Sequence, residues 1–353
     1  MNLPLTRPPS SICILRLSAI GDITHALPVL RSLQQNWPQT KISWIIGKNE
    51  FELVRFVEGV EFIIFDKSQG LTAYAALRRQ LQGRRFDVLL HMQLSLRASM
   101  ASLFVRARLK LGFDRERAKD LQWLFTHAET RPQSTRQHVL DSFLEFPKRL
   151  GVKPLIEWNL PVSADAIDSV RHKINGDNWL VINPCAVAKS RDWRNWTAEG
   201  YAIVADDAAE RLGLSVVLTG GPSMDELNVA DRIFSICRTK PLNLVGNTSL
   251  QELVAIISQA SVVIAPDTGP AHIASALGTP VIGLYAATNP KRAAPYRYKQ
   301  YVVNKYPQAL EKYYQLSVGD APWGKRIRNA EAMKMIQPVE VVDMLERVLR
   351  ETK

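Results

Sequence analysis

The chain has 353 residues, 46% hydrophobic and 22% charged, a length that calls for more than one core and a composition that excludes a disordered chain. Its net charge of +11 is uneven: residues 1–150 hold 22 Lys+Arg against 13 Asp+Glu, a net of +9, which leaves +2 for the rest. No apolar run of about 18 residues suggests a membrane span, the N-terminal MNLPLTRPPS has no signal core, and Cys13, Cys185 and Cys237 are too scattered for a disulfide framework or a metal knuckle.

The first half opens with an apolar strand at residues 12–17, the loop Ser18-Ala19-Ile20-Gly21 and an amphipathic helix over residues 22–37. KISWIIG then reads as a strand, ELVRFVEGV as a helix, FIIFD as a strand, TAYAALRRQLQG as a helix, FDVLLHM as a strand and SLRASMASLFVRA as a helix. The helix QHVLDSFLEFPKRLG and a proline-containing link follow, and a domain boundary is expected at 155/156. The second half restarts the alternation. Its strands are WLVINP, LSVVLTGG, LNLVG, SVVIAPD and TPVIGLYAA, with helices between them and a closing helix within residues 336–353. Such alternation implies parallel sheets covered on both faces. The expected class is α/β, with two doubly wound, Rossmann-like domains, 1–155 and 156–335, facing across a cleft. Ligands are then expected at the C-terminal ends of the strands.

Four strand-to-helix junctions carry residues suited to chemistry. In the first, Gly21 allows close backbone approach, and Asp22 either caps the helix or takes a proton from a bound hydroxyl. In the second, Asp267-Thr268-Gly269-Pro270-Ala271-His272 opens a helix whose free N–H groups suit a phosphate. His272 reads as a structural histidine or as a partner of Asp267. The third, residues 183–196, sets Lys189, Arg191 and Arg194 among tryptophans. It is a solvated basic loop or a cationic cradle for a leaving diphosphate. In the fourth, Asp225 and Glu226 can accept ribose hydroxyl bonds or serve as ordinary acids of a helix N-terminus.

Together these stretches resemble glycosyltransferase family 9, the bacterial lipopolysaccharide heptosyltransferases. The resemblance rests on Leu15-Arg16-Leu17-Ser18-Ala19-Ile20-Gly21-Asp22 with Ala26-Leu27-Pro28, and on Pro266-Asp267-Thr268-Gly269-Pro270-Ala271-His272 about 240 residues later. It implies a GT-B fold, inversion at the anomeric carbon, an ADP-heptose donor, no metal and no other cofactor. The nearest likeness is to enzymes that add the first heptose to Kdo; a transferase acting on an existing heptose is the alternative. Asp22 matches the family's general base. Asp267, Thr268, Gly269 and His272 match its donor site, to which Thr248 adds an adenine contact. Thr197 stands where the family carries the proline of a Trp-Pro pair, so any of Lys189, Arg191 and Arg194 can be the loop cation. For the acceptor, the resemblance points to Ser18, Gly21, Gln93, Ser95, Arg97, Arg115, Arg117, Lys119 and His138. The implied partners are the Kdo–lipid A acceptor and the cytoplasmic face of the inner membrane, against which the enzyme would lie peripherally.

The positive first half fits an acceptor rich in phosphate and carboxylate beside an anionic membrane. It would also fit nucleic acid, but no binding motif appears and the aromatics do not interleave with the basic residues. A nucleotide-sugar epimerase or dehydrogenase would want a Gly-rich dinucleotide fingerprint, which is missing.

Overall fold

The computed structural model describes residues 2–132, 134–176, 178–186 and 193–352. The chain divides into two compact units between Pro161 and Val162.

The first unit begins with β1 (Ser11–Leu15), α1 (Ile20–Asn36), β2 (Lys41–Gly47), α2 (Lys48–Val54), β3 (Glu61–Phe65) and α3 (Thr72–Gln80). It continues with β4 (Phe86–His91), α4 (Leu96–Ser102), β5 (Ala107–Gly112), a 3₁₀ turn (Gln122–Phe125), β6 (Ala128–Glu129) and α5 (Val139–Leu150). The six strands are parallel, in the order β3-β2-β1-β4-β5-β6. The chain builds outward from β1 to β3, then returns to the other side of β1. The topological switch, where open sheets bind ligands, therefore falls between β1 and β4. Central strands covered on both faces must be apolar throughout, and Ile12 to Leu15 and Val88 to Leu90 are fully buried.

The second unit contains α6 (Ala164–Lys173), β7 (Trp179–Ile182), α7 (Ala198–Glu210), β8 (Ser215–Leu218), α8 (Met224–Ile236), β9 (Leu242–Asn243) and α9 (Leu250–Gln259). Then come β10 (Val262–Pro266), α10 (Gly269–Leu277), β11 (Val281–Tyr285), α11 (Pro290–Ala293), β12 (Val302–Asn304), α12 (Tyr306–Tyr314) and α13 (Pro338–Glu351). The strand order, β12-β11-β10-β7-β8-β9, repeats that of the first unit, and its switch lies between β7 and β10. The expected closing helix is α13. Val341, Leu345 and Val348 recur on one of its faces and are buried in this unit's core, which includes α7.

Three expectations need correction. The boundary falls six residues later than 155/156, because residues 152–161 run along α1. The Ser32 hydroxyl accepts from the Leu155 amide at 2.8 Å, Arg31 donates to the carbonyls of Trp158 and Asn159, and the Trp158 indole is buried. The helix read across residues 95–107 stops at Ser102, and β5 follows. Arg106 just before β5 and alternating Arg108 and Lys110 within it disguise the strand as solvent-facing. The helix read over ELVRFVEGV lies earlier, at Lys48–Val54. The short strands β6 and β12 had no sequence pattern long enough to announce them.

Candidate functional site

In the first unit, β1 delivers a charge where its pattern is otherwise apolar. Arg16 follows its last residue and is 8% exposed. Its guanidinium donates to the Met92 carbonyl at 2.6 Å, pairs with the Asp22 carboxylate and lies over the Phe143 ring at 5.1 Å. Burial draws the guanidinium below its usual value, and Asp22 opposes that shift by its charge and its hydrogen bond. Asp22 is the third residue of α1, and its Oδ2 also accepts from the Ala19 amide at 3.4 Å. The carboxylate therefore does serve the helix start, but both contacts fall on Oδ2. Among the described residues Oδ1 has no protein partner, and the side chain is 34% exposed. It is placed to receive a proton.

Gln93 is tied to this loop. Its Oε1 accepts from the Leu17 amide at 2.6 Å and the Ser18 amide at 3.2 Å, and its Nε2 donates to the Ser18 hydroxyl. Gln122 secures Gln93 in turn, donating to its carbonyl, to the His91 carbonyl and to His91 Nδ1 at 2.8 Å. His91 is fully buried, and desolvation draws its pKa down to about 3, so it stays neutral. Leu17, Ser18, Gly47, Phe65, Lys67, Gln93, Ser95 and Arg97 enclose a cavity of about 310 Å³. Lys67 pairs with the buried Glu50 at 3.0 Å. Gly47 is glycine for a spatial reason: a Cβ there would stand 2.3 Å from a Glu50 carboxylate oxygen and 2.4 Å from the Leu17 carbonyl.

The structure brings Ser18, Gln93, Ser95 and Arg97 to one cavity; Gly21 and Asp22, in the first turn of α1, are not among its lining residues. The other acceptor expectations scatter. Arg117 is committed inside the fold, pairing with Asp114 and Glu145 and donating to the Thr130 hydroxyl at 3.1 Å. A cation already matched by two carboxylates offers little to an acceptor, so that reading is corrected. His138 is a buried cap whose Nδ1 accepts from the Leu140 amide at 3.1 Å, with His25 edge-on to its ring. Arg115 and Lys119 are exposed, and Arg115 lies over the Trp123 ring at 4.6 Å. None of these four lines the cavity.

In the second unit, Asn183 follows β7 and Asp267 follows β10, so both sit at the switch. Asn183 donates to the Thr219 carbonyl at 2.9 Å. Arg194 reaches across, donating to the Asp267 backbone carbonyl at 2.6 Å, with its carboxylate at 3.6 Å. The indole of Trp193 lies under the guanidinium at 5.5 Å. His272 Nε2 is 3.7 Å from the other Asp267 oxygen. Burial pushes the Asp267 carboxyl up, but the His272 hydrogen bond and charge, the Arg194 charge and a Thr288 hydrogen bond together hold it below its ordinary value. Asp267 is therefore an anion beside the Arg194 guanidinium. Thr268 precedes α10 without capping it, since its hydroxyl donates to the Pro266 carbonyl at 3.2 Å. With no cap hydrogen bond from Thr268, the first-turn amides of α10, Pro270 having none, are open to other acceptors among the described residues.

Lys189 and Arg191 lie outside the described residues. Glu226 is corrected: it is buried, and it accepts from the Gly221 amide at 2.9 Å and the Ser223 hydroxyl at 2.7 Å, locking the glycine turn. Asp225 is exposed in the first turn of α8, and half-buried Thr248 precedes α9 at the β9 end of the sheet. Among the described residues no group of three or more His, Cys, Asp or Glu side chains could hold a metal. Arg16 stands in the first motif with no role assigned to it by the sequence. A basic residue inside ICILRL was the available signal, because a buried cation must find a partner. Lys67, Gln122 and Thr288 come from long-range packing and left no local pattern.

Two α/β units with parallel sheets of matching order, each with its polar residues at the switch, define a GT-B glycosyltransferase. The chain belongs to glycosyltransferase family 9, the heptosyltransferases, whose family description matches residues 74–318. The lipopolysaccharide core heptosyltransferase OpsX of Haemophilus influenzae is 38% identical over 98% of this chain and 99% of its own. Two Escherichia coli proteins are more distant. Lipopolysaccharide heptosyltransferase 3 is 27% identical over 76% of this chain and 81% of its own. Lipopolysaccharide heptosyltransferase 1 of strain K12 is 22% identical over 82% and 92%. A family 9 glycosyl transferase structure from Veillonella parvula superposes with a TM-score of 0.80 at 21% identity, covering 97% of this chain and 98% of that one. Escherichia coli heptosyltransferase WaaC with ADP gives 0.70 at 18% identity, covering 96% and 99%.

Proposed function

We propose that this heptosyltransferase moves a heptose from ADP-heptose onto Kdo or phospho-Kdo of the lipopolysaccharide inner core, with inversion and without a metal. The observation that carries the reading is Asp22, whose Oδ2 is held by buried Arg16 while Oδ1 has no protein partner among the described residues, four residues after cavity-lining Ser18. In the reaction Oδ1 takes the proton of an acceptor hydroxyl. That oxygen forms a bond to the anomeric carbon, and the bond from this carbon to the diphosphate oxygen breaks, its electron pair leaving with ADP. The second unit supplies what the leaving group needs: the open first-turn amides of α10 and the Arg194 guanidinium to neutralise it. Asp267 and His272 are suited to holding donor hydroxyls. Lys67 and Arg97 would meet acceptor anions, and Ser18 and Ser95 would orient the acceptor. ADP beside the WaaC fold supports the nucleotide assignment by analogy. The enzyme would work peripherally at the cytoplasmic face of the inner membrane; among the described residues no helix is long and apolar enough to cross one.

An existing heptose is the rival acceptor: relatives numbered heptosyltransferase 3 and heptosyltransferase 1 both match this chain, at 27% and 22% identity, so their names do not agree on one step. Purified Kdo–lipid A and its heptosylated form, each incubated with ADP-heptose and read by mass spectrometry, decide between them. On the preferred acceptor Asp22→Asn loses about 10²–10⁴-fold in kcat with its fold intact, and excess EDTA leaves native turnover unchanged. Normal turnover by folded Asp22→Asn removes Asp22 from the mechanism. Loss of activity in EDTA that added metal restores removes the metal-free reading.

A further inference from the structure

Helix α4 is turned inside out for an element facing water. It buries its small residues, Ala98, Ser99, Ala101 and Ser102. Its large apolar residues point outward: Leu96 is 57% exposed and Met100 41%, and Leu103 just beyond its end is 55% exposed. Spaced four and three apart, these three share one helical face. The neighbouring 3₁₀ turn behaves the same way. Leu121, Trp123 and Leu124 are exposed around the buried Gln122. The two segments pack side by side, and the Leu96 amide donates to Asp120 just before the turn. Single exposed apolar residues are ordinary on any surface; six on two segments packed side by side are not.

We propose that α4 and the Gln122–Phe125 turn form a ridge that docks this enzyme on an anionic lipid bilayer. Charge selects the partner. Arg97, Arg106, Arg108, Arg115 and Lys119 are exposed near the ridge, against Glu116 and Asp120. Of the nearby acids, Asp114 is consumed by Arg117, and Asp87 stands 3.6 Å from Arg108. A second copy packed by a two-fold axis would set this basic rim against itself, whereas acidic headgroups complement it. Nucleic acid would satisfy the charges but has no use for exposed leucines and methionine. Trp123, with the Arg115 guanidinium on its ring, combines an apolar body with a polar edge, as interfacial residues do. Ser95 and Arg97, at the start of α4, also line the cavity that holds Ser18 and Gln93. Docking by α4 would hold that cavity at headgroup level, where the sugar of a lipid-anchored acceptor lies. This last step rests on the proposed acceptor; the docking surface itself does not.

The test is co-sedimentation of the full chain with phosphatidylethanolamine–phosphatidylglycerol vesicles and with phosphatidylcholine vesicles, without donor or acceptor, so that a failed transferase reading cannot alter its outcome. Binding is expected to the anionic vesicles and to weaken at least about tenfold in 0.5 M salt. The double variant Met100→Glu/Leu124→Glu should weaken it about tenfold at low salt. Its turnover of a soluble, deacylated acceptor should match the native enzyme, which shows that it is folded. A second readout avoids carboxylates altogether: lipids brominated near the headgroup should quench a fluorescence component that Trp123→Phe lacks. Native protein that ignores anionic vesicles, or a double variant that binds them normally, overturns the proposal. So does a native dimer in sedimentation velocity that the double variant abolishes while vesicle binding persists, since the ridge would then be a subunit interface.

Discussion

At the scale of single residues the first unit is organised by one buried cation. Arg16 cannot remain charged inside a fold without partners, and its partners are a backbone carbonyl, an aromatic face and Asp22. The pairing fixes which carboxylate oxygen is engaged and which is open. A guanidinium can reach Met92 and Asp22 at once because its donors form a rigid fork. Arg16→Met keeps the stem and removes the fork. Losing one charge-assisted bond of this kind is worth about 1.5–3 kcal/mol, so kcat should fall roughly ten- to hundredfold. The donor KM should stay within about twofold, because the residues proposed to hold the donor belong to the second unit. Arg16→Lys should recover part of the rate, since an ammonium reaches one of the two partners. Steady-state kinetics on the three proteins checks this. Equal rates for the methionine and lysine variants, or a loss confined to KM, would make Arg16 a packing residue only.

At the scale of elements, long strands and helices were legible where burial imposes a period. The pattern ICIL, the run VVIAP and the amphipathic α13 each have one environment along their length, and sequence and structure agree there. Elements were missed where local pattern and tertiary role diverge. β5 alternates cations because it approaches the sheet edge with only the two-residue β6 beyond it. The site divided the same way. Asp22, Asp267 and His272 sit at strand-to-helix junctions, and chain order alone places those at a sheet edge. The engagement of Arg117 depends on Glu145, 28 residues away, and no local motif reports such a partner. The junction before α7 shows how closely an element can be fitted to a site. Gly200 is helical, where alanine would ordinarily be better by about 1 kcal/mol. Its missing Cβ makes room for the Trp196 indole, whose nearest carbon would stand 2.4 Å from it. That indole donates to the Ile336 carbonyl at 3.1 Å just before α13 and lies two residues from Arg194. Gly200→Ala should therefore destabilise the protein by about 1–3 kcal/mol despite its better helix propensity, and should weaken ADP binding by shifting Arg194. Urea unfolding and calorimetry with ADP report the two effects. A stabilised variant with native ADP affinity would mean that the indole moves aside freely.

At the scale of the whole molecule the two units have separate buried clusters and unequal charge. One buried cluster runs from Cys13 to Val105, another from Leu180 to Val348, and neither draws a residue from the other unit. Positive charge is concentrated in the first half, while Asp267, Arg194 and the α10 amides belong to the second. A ligand held by one unit should then stabilise that unit selectively, because binding to the native form alone adds RT ln(1 + [L]/Kd) to its stability. At a hundredfold excess of ADP over its Kd the gain is about 2.7 kcal/mol. Amide hydrogen exchange read by mass spectrometry resolves where that gain appears. Peptides covering β7, β10 and α10 should slow by up to about a hundredfold, the ratio that this free energy represents. Peptides from β1, β4 and the core of residues 2–132 should exchange as they do without nucleotide. Asp267→Ala should reduce the protection, whereas Asp22→Asn should leave it intact, since Asp22 is proposed to act after binding. Protection spread evenly over both units would assign the nucleotide to residues of the first unit as well, and protection confined to that unit would reverse the division of labour between donor and acceptor.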